Sequence, residues 1–480
     1  MHLRLAPLLL IVLPLAGCDL APHYQRPALA APSSFPQGPA YPAATGTQDV
    51  AAIGWKTFFT DEKLQQVIAL GLANNRDLRI AAANILQARA QYRAQRADLF
   101  PTIGANAGAE VSHGNSTTTG TSTGGGTRHA YSADIGISAF ELDLFGRVRN
   151  LTKAAQEQYF ATQAGADSTR ISLIAEIASA WLTLGSDQDQ LALSKQTLGT
   201  YQQSVDLTRA QFDKGIASEL DVQQAETNLQ DARFDVAQLT TQIAQDQNAL
   251  NLLAGTTVPA DLLPAGIGTG DFTLAELPAG IDSTVLLKRP DVLQAEDQLK
   301  GENANIGAAR AAFFPTISLT AAAGTASTAL SGLFTGGAWT WNAGGSATQT
   351  VFDFGKNLAN LRYAQASKQA AVATYEKAVQ TAFREVADAL AQRGTIDEQV
   401  SAQTARVNAA GAALRISDAR YRAGVESFLT TLDSQRTAYA AQQQLVTTRL
   451  NRESNLVELY RSLGGGLEAD NRVGGDPLRR

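Results

Sequence analysis

Three short motifs in this chain each occur twice, at a nearly constant offset of about 210 residues, and this period constrains the fold more than any other feature. Phe100-Pro101-Thr102-Ile103 returns as Phe314-Pro315-Thr316-Ile317. Asp143-Leu144-Phe145-Gly146-Arg147 returns as Phe352-Asp353-Phe354-Gly355-Lys356, and Phe212-Asp213-Lys214-Gly215-Ile216 as Tyr421-Arg422-Ala423-Gly424-Val425. A fixed internal period marks a duplicated structural unit. Each unit holds a Gly/Ser/Thr-rich stretch followed by a very long helical one, which describes an elongated object rather than a globule.

The short stretches read as β-hairpins. Asp61 is positioned to cap a helix that carries Leu64, Val67, Ile68, Leu70 and Leu72 and runs to Leu99, where Pro101 stops it. Ile103, Ala105, Ala107, Ala109 and Val111 then alternate with small or polar residues, the period of a strand. Tyr131, Ala133, Ile135, Ile137 and Ala139 alternate again, and Ser112 to Thr127 between them reads as a flexible loop. In the second unit Ile317, Leu319, Ala321 and Ala323 alternate, and Trp339 and Trp341 open the return strand. Tryptophan at a strand end fits the interfacial girdle of an outer-membrane barrel or simple packing.

The long stretches read as coiled-coil helices. Ile177, Leu184, Leu191, Leu198, Val205 and Phe212 are spaced by seven, and Val379, Val386, Val400, Val407, Leu414 and Tyr421 lie on one seven-residue grid that Arg393 interrupts. Arg147 to Phe212 amounts to ~100 Å of helix at about 1.5 Å per residue. Ala225, Leu229, Ala232, Val236, Leu239, Ile243, Leu250 and Leu253 form the seam of the returning helix. Gly215 and Gly424 supply the reversal, since glycine adopts positive φ without a Cβ clash.

Composition excludes several classes. With 480 residues, net charge −6 and no basic cluster, nothing favours a nucleic-acid partner. The single Cys rules out an internal disulfide, and the four His residues lack ligand spacing, so no metal or other cofactor is expected. No Gly-x-x-x-x-Gly-Lys-Ser/Thr, His-Glu-x-x-His or Gly-x-Ser-x-Gly motif is present, so no enzyme is expected. Residues 1–17 read as a signal peptide with a basic start and an apolar run too short to span a bilayer. They end at Leu15-Ala16-Gly17-Cys18, which resembles a bacterial lipoprotein box with Cys18 as the lipidated residue. Beyond it no window of about 20 residues is continuously apolar, so any membrane crossing must use β-strands.

Two hairpins supply four strands, and lipid does not tolerate open sheet edges, because unpaired backbone groups cost several kcal/mol each. Two copies of the chain would make eight strands, a barrel about the size that its own side chains fill. Three copies would make twelve, roughly enough for a water-filled lumen. The expectation is a mainly α homotrimer, internally duplicated, with a transmembrane β-barrel continued by long antiparallel coiled-coil helices.

The ordered motifs as a set resemble the outer-membrane factor family, the TolC-like channels, and especially the OprM/NodT-type efflux lipoproteins. They comprise Pro22-His23-Tyr24-Gln25-Arg26-Pro27, Trp55-Lys56-Thr57-Phe58-Phe59, Leu72-Ala73-Asn74-Asn75-Arg76-Asp77-Leu78, Glu141 to Arg147, Lys288-Arg289-Pro290-Asp291-Val292, Phe313 to Ile317, and Tyr421 through Arg436. The resemblance implies an outer-membrane exit duct for small molecules such as drugs, anchored by lipid at Cys18 and extending as a helical barrel into the periplasm. It implies a periplasmic adaptor and an inner-membrane pump of the resistance-nodulation-division type that supplies the energy. The outer-membrane component of a type I protein secretion system is the alternative. The resemblance also makes Leu429, Asp433 and Arg436 the periplasmic gate, and Lys214, Gly215, Ile216, Ala423, Gly424 and Val425 the adaptor-contacting tips. Asp19 follows the lipobox Cys, where some enteric bacteria read a signal for retention in the inner membrane. A β-barrel is not stable there as such, and the outer-membrane expectation stands.

The implied division is a signal peptide at 1–17, a Pro/Ala-rich tether at 18–54 with little packing of its own, and a helical segment at 55–100. Hairpin 1 at 101–145, a helical hairpin at 146–255 and a connector at 256–282 follow. Repeat 2 has a helical segment at 283–313, hairpin 2 at 314–354, a helical hairpin at 355–463 and a tail at 464–480.

Overall fold

A computed structural model of the protein describes residues 18–41, 53–116, 123–268, 270, 272–273 and 282–466. The expected signal peptide, much of the connector and nearly all of the tail lie outside the described residues. In chain order the elements are α1 (Trp55–Phe58), α2 (Glu62–Asn74), α3 (Arg76–Ala97), β1 (Ile103–Ser116), β2 (Thr123–Leu142), α4 (Arg147–Asp213) and α5 (Glu219–Ala254). The second repeat adds α6 (Pro290–Ala311), β3 (Thr316–Ser327), β4 (Trp339–Thr348), α7 (Lys356–Arg422) and α8 (Phe428–Ser462). α4 and α7 are both 67 residues long. No described helix is long and apolar enough to cross a membrane.

Two compact units result, and each draws on both repeats. One comprises Met1–Arg26, Ile85–Thr162 and Ala295–Tyr375, the other Pro27–Asn84, Gln163–Gln294 and Glu376–Arg480. The first holds one antiparallel sheet of order β1-β2-β3-β4. Strand pairing reaches further into the Gly/Ser/Thr-rich stretch than the loop expected at Ser112 to Thr127, because those residues still complete the backbone ladder: Ser112 pairs with Arg128 and Ser116 with Thr123.

The Pro-rich N-terminal stretch is extended but docked, which corrects the expectation of little packing. Proline cannot donate a backbone hydrogen bond, so side chains hold the segment. In the first unit Pro22 O accepts from Asn303 Nδ2 at 2.7 Å and Leu20 O from Arg310 Nη1 at 3.0 Å. Arg26 donates through Nε and Nη2 to both oxygens of Glu296, each at 2.8 Å, and the Tyr24 hydroxyl donates to the same carboxylate at 3.2 Å. The Glu296 side chain is 3 % exposed. Within the second unit Phe35 is buried and stacks on Phe383, centroids 5.0 Å apart.

The second unit is helical. Asp61 caps α2, accepting from Leu64 N–H at 2.8 Å. The helix expected to run unbroken to Leu99 is divided at Asn75, whose Oδ1 accepts from the N–H groups of Asp77 and Leu78 and so starts α3. Asn75 also donates to Leu253 O at 2.9 Å, beside Gly255. Gly255 ends α5 at φ +67°, and a Cβ there would lie 2.5 Å from Asn74 O. On the heptad grid Ile177, Leu184, Val205, Val379 and Val386 are buried, and on the seam Ala225, Leu229, Ala232 and Leu250 are.

One polar pair in this unit is strained. Asp187 on α4 faces Asp246 on α5; burial first, and then the Asp246 carboxyl, push Asp187 up from 3.8 to about 7. A carboxyl raised in this way opposes folding increasingly as pH climbs from its ordinary value to the raised one, and the penalty is complete above that. Asp187→Asn is therefore expected to raise the melting temperature at about pH 8 and leave it nearly unchanged at about pH 4. An equal gain at both, followed by circular dichroism, would show that ionisation is not the cause.

Candidate functional site: the sheet faces and the helical tips

The sheet has two chemically distinct faces, set by strict alternation along the printed register. On one, Ile103 pairs with Ile137, Ala105 with Ile135, Ala107 with Ala133 and Ala109 with Tyr131. Across β3 and β4 this face continues through Leu319 with Gly345, Ala321 with Ala343, Ala323 with Trp341 and Thr325 with Trp339. Trp339 and Trp341 are exposed, so neither is packed within the chain. On the other face Asn106 pairs with Asp134, Gly108 with Ser132, Glu110 with Ala130 and Ser112 with Arg128. Ala322 with Asn342 and Ser318 with Ser346 complete it.

A bulge keeps the faces pure. The β2–β3 register shifts between Ile137 and Phe140, and Ala139 takes φ 51° there, its N–H donating to Thr320 Oγ1 at 3.2 Å. Sequence alternation expects Ala139 on the apolar face. The extra residue instead restores Phe140 and Leu142 to that face, opposite Leu319 and Ile317. Glu141 turns to the polar face, where Arg147 Nε donates to its Oε1 at 2.9 Å. The outer edges of β1 and β4 carry no described partner strand.

Cys18 is exposed at the foot of this sheet, where its N–H donates to Leu144 O at 3.1 Å. Asp19 is not left free. Its Oδ1 accepts from Ala21 N–H and from Asn150 Nδ2, both at 3.0 Å. Burial alone would raise the Asp19 pKa, but these two bonds, with Lys153 and Arg149 nearby, leave it lowered.

In the second unit the two expected tips have the same backbone. Gly215 and Gly424 both sit at φ 73°. Gly215 N–H donates to Phe212 O at 2.8 Å and Ile216 N–H to Gln211 O at 2.9 Å; Gly424 N–H donates to Tyr421 O at 2.9 Å and Val425 N–H to Arg420 O at 3.0 Å. That pair of bonds is the Schellman ending, which needs a left-handed residue and here repeats at both helix ends. Ser218 and Ser427 then cap α5 and α8. Ile216 and Val425 are exposed at the tips, as are Lys214 and Ala423.

Leu429, Asp433 and Arg436 fall at i, i+4 and i+7 on α8, hence on one stripe, and all three are exposed. The opposite stripe packs: Phe428 and Leu432 join Tyr201, Val205, Ala225, Leu229 and Ala232 in one apolar cluster. Arg436 and Asp433 do not pair within the chain. Arg436 Nε donates to Asn228 Oδ1 at 2.7 Å, tying α8 to α5, and Asp433 has no hydrogen bond or ion pair among the described residues. Three further ties were not legible in the sequence: Tyr439 to Ser194 and Asp235 at 2.7 and 2.8 Å, Gln435 to Ser204 at 3.0 Å, and Tyr421 to Gln211.

The profile of the Outer membrane efflux protein family matches residues 67–256 and 283–465. The probable efflux pump outer membrane protein TtgC of Pseudomonas putida is 47 % identical over 457 residues, covering 94 % of this chain and 93 % of its own length. OprJ, an outer membrane protein of Pseudomonas aeruginosa, is 40 % identical over 468 residues, with 95 % of each chain covered. Among solved structures, the open state of the Neisseria gonorrhoeae MtrE outer membrane channel matches with TM-score 0.82 and 36 % identity, over 94 % of this chain and 99 % of that one.

Proposed function

Because the chain belongs to the outer membrane efflux protein family, we propose that three copies of it form a passive exit duct, a twelve-strand barrel in the outer membrane continued by a helical tube through the periplasm. The protein is an outer-membrane efflux channel that works with a periplasmic adaptor and an inner-membrane pump. The observation that carries the trimer is the sheet with two bare edges. Its apolar face suits lipid, yet β1 and β4 have nowhere to donate and accept in a bilayer unless sister chains pair with them. Four strands from each of three copies make twelve, the smallest closed ring of whole copies that leaves a lumen.

In this reading the hairpins at 101–145 and 314–354 build the barrel, and the helical hairpins at 146–255 and 355–463 build the tube. Cys18 carries lipid at the foot of the barrel, a reading supported by Leu-Ala-Gly-Cys and by the exposure of Cys18. The pump is of the resistance-nodulation-division type. The tips at Lys214 to Ile216 and Ala423 to Val425 meet the adaptor, while Leu429, Asp433 and Arg436 narrow the entrance. TtgC homologues include a toluene efflux pump component, and apolar or drug-like solutes are the cargo class we assign to the assembled pump.

The test is export. A strain stripped of its own efflux channels and given this protein with its adaptor and pump is expected to accumulate less of a fluorescent dye. Equal accumulation with and without this protein, at matched outer-membrane abundance, would overturn the assignment.

A further inference from the structure

Resting on the trimeric barrel proposed above, we infer that the strand lumen is a fixed-charge filter in which Asp134 and Glu110 favour cationic solutes over anions. The four strands carry only four residues with a formal charge at neutral pH: Glu110, Arg128, Asp134 and Glu141. All four lie on the polar face, opposite Ala130, Ser112, Asn106 and Ser318 respectively. Chance would scatter them over both faces, so that face is the aqueous one.

Glu141 is neutralised by Arg147, whose Nε lies 2.9 Å from its Oε1. Asp134 meets only the neutral Asn106 amide, at 3.2 Å. Neither Glu110 nor Arg128 is in an ion pair among the described residues. The neighbours on this face are small or neutral: Gly104, Gly108, Ser132, Gly136, Ala322, Gly324 and Asn342. They neither screen the carboxylates nor narrow the passage. The segments joining the strands, 114–125 and 328–338, contain no ionisable residue, so they add no opposing charge.

Two acidic side chains against one basic leave each copy a net −1 in the lumen. The charges are also ordered. Asp134 lies nearest the helices, Glu110 two residue pairs further along the ladder, and Arg128 two further still. A solute leaving the helical tube meets the carboxylates before the guanidinium. A charged ring acts over a Debye length, about 30 Å at 0.01 M salt and about 3 Å at 1 M, so the preference belongs to dilute conditions.

Planar-bilayer recordings of the full-length lipidated protein test this, with potassium chloride gradients. The Leu429→Ala, Asp433→Ser background is used so that a carboxylate at the entrance cannot supply the selectivity. At about 0.01 M salt this background should pass cations in preference to anions. Asp134→Asn with Glu110→Gln should bring the permeability ratio close to one, and Arg128→Gln should increase it. At about 1 M salt all should converge. A ratio unchanged by the double carboxylate substitution, in channels that still conduct, overturns the filter and leaves the duct intact. Protein that sediments as a single chain and never conducts overturns the barrel reading itself.

Discussion

Arg26→Ala is expected to destabilise the protein by about 3 kcal/mol, the cost typical of leaving one partner of a buried ion pair uncompensated. The charge left behind is Glu296, whose side chain is 3 % exposed. Arg26 satisfies both of its oxygens, and after truncation only the Tyr24 hydroxyl at 3.2 Å and the Lys300 ammonium at 3.8 Å remain. Their presence keeps the cost at the lower end of the usual range. The local consequence is release of the segment from Pro22 to Arg26, detected as a lower melting temperature together with new protease cleavage in that segment. Replacing the pair together, as Arg26→Met with Glu296→Met, should recover most of the loss, because the desolvated charge is then gone. A single variant as stable as the parent would show that the strap is not held by this carboxylate.

The second large effect concerns the entrance. Leu429→Ala with Asp433→Ser is expected to raise single-channel conductance severalfold while leaving the melting temperature within about 0.5 kcal/mol equivalent of the parent, the usual range for exposed positions. Both side chains are exposed on the stripe of α8 opposite the apolar cluster. Their loss therefore costs little packing but removes an apolar plug and an acidic ring from the threefold axis. Arg436→Ala tests a different contact. It breaks the 2.7 Å bond to Asn228, whose side chain is buried, and should open the entrance only by loosening α8 from α5. Conductance unchanged in the Leu429/Asp433 variant would take these residues out of the gate.

Much of the architecture is readable from residue periods because periods reflect faces. Seven-residue spacing from Ile177 to Phe212 needs one helix with one buried seam, and α4 runs over those residues. Two-residue alternation from Ile103 to Val111 needs a strand with unlike faces. Glycine at 215 and 424 signals a left-handed helix ending, and both have that geometry. What escaped the reading is decided by partners far away in the chain. The division at Asn75 depends on its bond to Leu253. The docking of Tyr24 and Arg26 depends on Glu296, some 270 positions later. The bulge at Ala139 has no local signature, since alanine there looks like one more small residue in register. The gate stripe is the reverse case. Its spacing is plain in the sequence, but only the direction of packing on α8 distinguishes Leu429 from Leu432.

The central claim is that one chain holds a third of a cylinder. Its most direct test is the mass of the lipid- or detergent-embedded particle, measured together with conductance on the same preparation. The account predicts a species of three chains that conducts ions across a planar bilayer. A monodisperse single chain of 50.6 kDa that leaves the bilayer sealed would contradict it.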